Sequence, residues 1–217
     1  MLRFLGLVMC LGFCFTSCVQ KEISFVKAKS PSSDWEVMEL IKSAKFDDTL
    51  AEFGKCIQKS SHTKSFSQEK CETIIKKFSD LCQSGSNKHC VLQAEFYLKG
   101  SAQHNKAIVI LTKSCDSGYG SACVSLGESF VQMAKMDTKK GMNYWHRACE
   151  LGSAVGCGNL ADIYHKGIGI QPNIHKAKMY ANAELRISDR DCKAGQKVAC
   201  EWLEQAFSTL KPLLHIK

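Results

Sequence analysis

The residues best able to do chemistry in this chain are cysteines in a fixed frame. CQSGSNKHC at 82–90, CDSGYGSAC at 115–123, CELGSAVGC at 149–157 and CKAGQKVAC at 192–200 all read C-x2-G-x4-C. Cysteines in such numbers serve as thiolate metal ligands, as nucleophiles or as halves of disulfides, and the choice depends on spacing and compartment. Zinc ligands normally come in pairs two to four residues apart, whereas seven residues intervene here and no histidine motif adjoins them. The seven histidines form no H-E-x-x-H pair, and His89, His146 and His165 read as surface or helix-end residues. No metal site and no cofactor are expected: phosphate-loop, dinucleotide and G-x-S-x-G fingerprints are absent from the sequence.

What positions these cysteines appears when the four frames are aligned on their second member. Three residues later stand Gln93, Leu126, Leu160 and Leu203; four later, Ala94, Gly127, Ala161 and Glu204; seven later, Tyr97, Phe130, Tyr164 and Phe207. Offsets of about 0, 3, 4 and 7 trace one face of a helix, with large and small positions alternating for close packing. A second helix precedes each following cysteine, with Ala107, Ile110 and Leu111, then Gly141, Tyr144, Trp145 and Ala148, then Ala177, Tyr180 and Ala181 in helical period. Successive first cysteines are 33, 34 and 43 residues apart. A helix pair repeated near 34 residues predicts an all-α fold, a right-handed α-solenoid of antiparallel helix pairs.

The long interval has a definite source. From the lysine of each lysine-plus-small-residue pair to the cysteine is nine residues for Lys106–Cys115 and Lys140–Cys149 but sixteen for Lys176–Cys192. Seven extra residues make almost two helical turns, about 20° from register, so a helix lengthened over roughly 173–192 keeps its cysteine on the same face.

Leu160-Ala161, Tyr164, Gly167-Ile168-Gly169, Lys176-Ala177 and Tyr180 resemble a Sel-like repeat, a relative of the tetratricopeptide repeat. With the eight-spaced cysteines, the chain resembles the cysteine-rich Helicobacter protein (Hcp) family, well over 82–207, poorly over 56–81 and not at all over 19–50. Gly167-Ile168-Gly169 is then the turn between paired helices. Some members of that family carry a β-lactamase label, and the resemblance implies slow β-lactam hydrolysis as an alternative function. Ser61-His62-Thr63-Lys64 satisfies S-x-x-K, but it lies in a polar stretch outside the periodic helices, and no S-D-N or K-T-G follows. Met133, Met136, Tyr144 and Trp145 read as core rather than as a ligand box.

In each frame the first cysteine falls in the last turn of one helix, the glycine where a left-handed residue is wanted, and the second cysteine near the start of the next helix. An antiparallel corner brings the two together. Cys82–Cys90, Cys115–Cys123, Cys149–Cys157 and Cys192–Cys200 are therefore expected to be disulfides, each contributing roughly 2 to 3 kcal/mol. Cys56 and Cys71 remain and pair by exclusion, although Asp48 stands where the frame would place the partner of Cys56.

Thirteen cysteines are many for a protein in a reducing compartment, so the address bears on how they are read. Residues 1–17 carry Arg3, an apolar run from Phe4 to Phe15, and small residues before Cys18, the pattern of a secretion signal too short to span a bilayer. The same residues resemble a bacterial lipoprotein box that would lipidate Cys18. Ten further cysteines remain in the processed chain, with 28 basic and 21 acidic residues and a formal charge of +7. The lysines are scattered, which argues for solubility and against nucleic-acid binding.

The expected organisation is a signal at 1–17, a tether at 18–33, a degenerate N-terminal capping repeat at 34–81, and Sel-like repeats with a C-terminal capping helix at 82–217. The expected protein is an exported periplasmic or cell-envelope monomer, held to the membrane through Cys18, that binds a protein, peptide or cell-wall fragment in a concave groove. The groove residues are those lying off the packed stripe: Glu95, Glu128, Asn159, Asp162, Trp202 and Gln205.

Overall fold

The computed structural model describes residues 31–43, 56, 68–100, 103–132 and 137–214. The signal segment, Cys18, Asp48, Ser61–Lys64, Met133 and Met136 lie outside them. The described residues form helices α1 (Ser33–Ser43), α2 (Gln68–Gln83), α3 (Asn87–Glu95), α4 (His104–Asp116), α5 (Gly120–Gln132), α6 (Thr138–Glu150), α7 (Ala154–Lys166), α8 (Ile174–Lys193) and α9 (Lys197–Leu214), with a π-helical turn at Phe96–Gly100 extending α3. From α2 to α9 each helix packs on the next, and α3, α5 and α7 also pack on one another across repeats. This is the all-α solenoid of stacked helix pairs.

The corners are four copies of one structure. Gly85, Gly118, Gly152 and Gly195 have φ of 101°, 92°, 84° and 93°. Each donates its N–H to the carbonyl of the first cysteine, at 2.9 to 3.0 Å, while the next residue donates to the carbonyl just before that cysteine. These two bonds are the Schellman closure, which satisfies the last carbonyls of a helix and requires a left-handed residue. A Cβ at Gly85, Gly118 or Gly195 would meet nothing within 4 Å, so backbone conformation and not space selects glycine there. The turn brings the cysteines to Cα separations of 4.6 to 4.8 Å, and all four eight-spaced pairs are disulfides. Cys56–Cys71 is bonded as well, with a Cα separation of 5.7 Å.

The aligned columns account for the packing between helices. Leu126, Leu160, Ala94, Ala161, Ala107, Leu111, Ala148, Ala177 and Ala181 are buried. Gly127 and Gly141 face each other across α5 and α6, where a Cβ on Gly127 would lie 2.9 Å from the Gly141 carbonyl and 2.3 Å from the indole nitrogen of Trp145. That indole donates to the Val124 carbonyl at 3.2 Å, so the small residue makes room for a buried tryptophan. The aromatic column stacks on the following helix, Phe130 on Tyr144 at 5.6 Å and Tyr164 on Tyr180 at 5.7 Å. The lysine of the lysine-plus-small-residue pair explains itself here: Lys106 lies over Tyr97, Lys140 over Phe130 and Lys176 over Tyr164, at 5.7, 4.1 and 5.2 Å from the ring centres.

The seven-residue insertion is helical, since α8 runs unbroken through Ile174–Lys193. Its added turns carry Glu184, Ile187, Ser188 and Asp191 on the buried side, so the longer helix brings two carboxyl groups into the interior.

Residues 34–81 depart from the expected capping repeat at their start. α1 packs on α3, α5 and α9, the helices that begin at second cysteines and line the inner face, and so lies within the curve of the solenoid rather than at its end. Trp35 joins the core formed by α6 to α9, Val37 the core formed by α3 to α5, and Leu40 the cluster around Cys56, Cys71 and Phe78. An eleven-residue helix is marginal alone, so its stability comes from this docking.

Candidate functional site: the inner face

The inner face is built from the helices that follow the second cysteines. Because the corners are alike, positions two and five after each cysteine present the same face from one repeat to the next. Glu95, Glu128 and Asn159 are brought together, half-buried along α3, α5 and α7. Glu95 pairs with Lys99 at 2.7 Å and, with Glu128, Ser125, Ser129, Leu98 and His104, lines a pocket on this side. Burial pushes the Glu128 carboxyl up, and the charge of Glu95 adds to the shift while a hydrogen bond with Asn159 opposes it. Asp162 is exposed and paired with Lys166 at 2.6 Å, a surface contact of small energetic weight. Gln205 is exposed on α9.

Trp202 is not the available aromatic that its position suggested. It is half-buried, its ring lies 6.3 Å from that of Trp35, and its indole N–H donates to Glu184 at 3.0 Å. α1 supplies the covering ring, and nothing in the repeat pattern announces α1 at that place. Glu184 lies against Gly158, where a Cβ would come within 2.7 Å of its carboxylate. Burial pushes the Glu184 carboxyl up to about 7, the Trp202 hydrogen bond pulls the other way, and the negative charges of Asp162 and Asp34 reinforce the rise.

The polar centre of the inner face, missed in the sequence, is Asp34. Its carboxylate accepts from Ser121 Oγ at 3.0 Å, Ser153 Oγ at 2.9 Å, the Val155 N–H at 3.1 Å and Ser32 Oγ at 2.8 Å. Ser153 is the N-cap of α7, accepting from the Gly156 N–H at 2.9 Å while its hydroxyl hydrogen serves Asp34. The carboxylate therefore sits at the N-terminus of α7, where unpaired N–H groups and the helix dipole favour an anion. Burial pushes Asp34 above its ordinary range against these hydrogen bonds, the first of them the one from Val155.

A second anchor lies on α8. Asp191, 1% exposed, accepts from the Ser32 N–H at 2.9 Å, from Trp35 Nε1 at 2.6 Å and from Arg190 Nε at 2.7 Å. Ser33 Oγ accepts from the Ser121 N–H at 2.9 Å, and Lys42 pairs with Glu201. Partners 88 to 159 residues away give no local signal. The one trace in the sequence is the S-S-D-W stretch at 32–35, polar where a helix begins and followed by Val37, Met38 and Leu40 at helical spacing.

Two hydroxyl–imidazole contacts also stand apart from the cysteines: Ser86 Oγ with His89 Nδ1 at 2.7 Å and Tyr180 Oη with His146 Nδ1 at 3.0 Å. Both imidazoles are held below their ordinary pKa, by burial and then by Lys88 and Lys77 for His89, and by burial and then by Lys176 for His146. Each ring packs on aromatics, His89 on Phe78 at 5.9 Å and His146 edge-on to Tyr180 at 5.4 Å. Ser86 is the N-cap of α3 and sits within its corner, so the two contacts have sufficient structural reasons. Among the described residues no three His, Cys, Asp or Glu side chains are grouped to hold a metal ion, and no helix is long and apolar enough to cross a membrane.

This architecture of stacked helix pairs presenting one polar inner face is that of a repeat scaffold. Residues 123–153 and 154–182 each match the Sel1 repeat, so the chain carries two Sel1 repeats. The chain is similar to cytochrome c oxidase assembly factor 7A of Xenopus laevis, 32% identical over 32% of this chain and 32% of that protein. It is similar to the putative beta-lactamase HcpD of Helicobacter pylori, 32% identical over 32% of this chain and 23% of that protein. It is also 28% identical, over 49% of its length, to 19% of DAP3-binding cell death enhancer 1 of Rattus norvegicus. The chain thus spans about a third or less of the curated relatives it matches.

Proposed function

We propose that the protein is an exported scaffold, anchored by lipid on Cys18, whose inner face holds a segment of a protein partner, a peptide or a cell-wall fragment. The observation that carries this reading is α1: the inner face already accommodates a helix, through a buried carboxylate and a buried indole with matched hydrogen-bond partners. Relatives named as an assembly factor and as a binding protein accord with a scaffold, and the secretion-type N-terminus and ten bonded cysteines accord with an oxidising compartment.

The reading is tested with immobilised oxidised protein and cell-envelope extract. Wild type is expected to retain a partner that Glu128→Lys with Asp162→Lys loses and that Lys113→Glu, on the outer helix α4, keeps. Equal retention by all three would overturn an inner-face scaffold. The alternative, β-lactam hydrolysis, requires turnover of a chromogenic β-lactam by the same oxidised protein; the scaffold reading requires none.

A further inference from the structure

The contacts of α1 are those of a ligand rather than of a repeat. Between Ser32 and Lys42 it buries an acid, an indole and the aliphatic side chain of Val37, and each polar anchor has its own receiving group on a different repeat. The acid is received by Ser121 Oγ, Ser153 Oγ and the Val155 N–H. The indole is received by Asp191 Oδ2 and the ring of Trp202. Val37 joins the buried cluster that contains Val91, Ala94 and Ala122. Asp34 and Trp35 are 4% and 1% exposed, while Glu36, Glu39 and Ile41 on the other side face solvent. A helix laid into a groove by one face, with adjacent specific anchors, is a recurring mode of peptide recognition.

We infer that the inner face is a receptor for a short helix opening with Asp–Trp followed by an aliphatic residue, and that residues 32–43 are its built-in occupant, which an external helix of the same chemistry displaces. This rests on the scaffold reading and names the class of partner segment. The two receiving sites are independent: one takes a carboxylate at a helix N-terminus, the other takes an indole N–H on a buried carboxylate. A partner offering only one of them leaves either the Ser121–Ser153 hydroxyls or Asp191 buried without its counterpart, which costs more than the missing contact alone. Lys or Arg in place of the acid would face the Val155 N–H, which can only donate. The covalently attached occupant competes at an effective concentration of order mM, so wild type takes up a free helix weakly.

The test uses the full-length oxidised protein and a synthetic peptide of residues 30–43, SPSSDWEVMELIKS, labelled for fluorescence polarisation. Full-length D34A/W35A, whose own segment has lost both anchors, is expected to bind the peptide at least ten-fold more tightly than wild type. A control peptide carrying the same two alanines is expected to bind neither, and Asp191→Asn added to the double variant is expected to weaken peptide binding ten-fold or more. Where circular dichroism shows that D34A/W35A has lost its helical signal, amide hydrogen exchange on wild type decides: excess peptide accelerates exchange in residues 35–43 and the alanine control does not. A folded double variant that binds peptide and control alike overturns the inference, as does unchanged exchange in wild type. Failure here with Glu128-dependent capture of an envelope partner intact removes the Asp–Trp receptor and leaves the scaffold standing; success here with no captured partner does the reverse.

Discussion

The corners and the inner face are stabilised by opposite means. Each corner is closed within nine residues by a Schellman turn and a disulfide, repeated four times with the same bonds. The inner face is closed across up to 159 residues by non-repeating hydrogen bonds to two buried carboxylates. The Schellman bonds and disulfides of the corners include no residue of α1. On the receptor reading proposed above, the inner face exchanges its occupant while these bonds stay in place.

The largest effect expected on this contrast is at Trp35. Trp35→Ala empties a buried indole site and should cost about 3 to 5 kcal/mol of docking, read as accelerated amide exchange confined to α1. Loss of protection in α4 to α8 as well would show that α1 is part of the solenoid core and not its guest. Replacing the Cys115–Cys123 pair by alanine should lower global stability by roughly 2 to 3 kcal/mol in denaturant unfolding, with the whole chain shifted together.

The pH dependence separates the same regions. The folded pKa of Glu184, at about 7, lies above the ordinary carboxyl value of 4.5, so the folded state binds the proton more tightly. The stability this contributes is fully present below pH 4.5 and is lost as pH rises through 7. Glu184→Gln should remove a decline of about 3 to 4 kcal/mol across that window, each pKa unit being worth ~1.4 kcal/mol. A variant with the wild-type slope in thermal melts from pH 4 to 8 would place the titration elsewhere. The smallest effect is Gly118→Ala, where the left-handed backbone costs about 1 to 2 kcal/mol although the methyl meets no neighbour. Gly118→Asn should recover part of that loss, since asparagine tolerates this conformation better.

Much of the corner chemistry was legible in the chain because every partner lies within a few residues. C-x2-G-x4-C places the glycine, the helix end and the next helix start at fixed offsets, and repetition exposed the core columns. Even the sixteen-residue interval before Cys192 could be read as a longer helix, because seven residues preserve helical phase. Trp202 shows where such reading fails. Its offset from Cys200 places it off the packed stripe, and only a helix arriving from more than 160 residues earlier in the chain covers it.

Local periodicity thus determined the helix pairs, their staples and the face that each repeat presents. What only the tertiary structure decided is what lies on that face. Asp34 meets Ser121, Ser153 and Val155 after the solenoid has curved enough to bring the starts of α5 and α7 together, and Trp35 meets Asp191 because α8 is two turns longer than its counterparts. Neither contact has a sequence period, since each is made once, between residues that the superhelix and not the repeat makes neighbours.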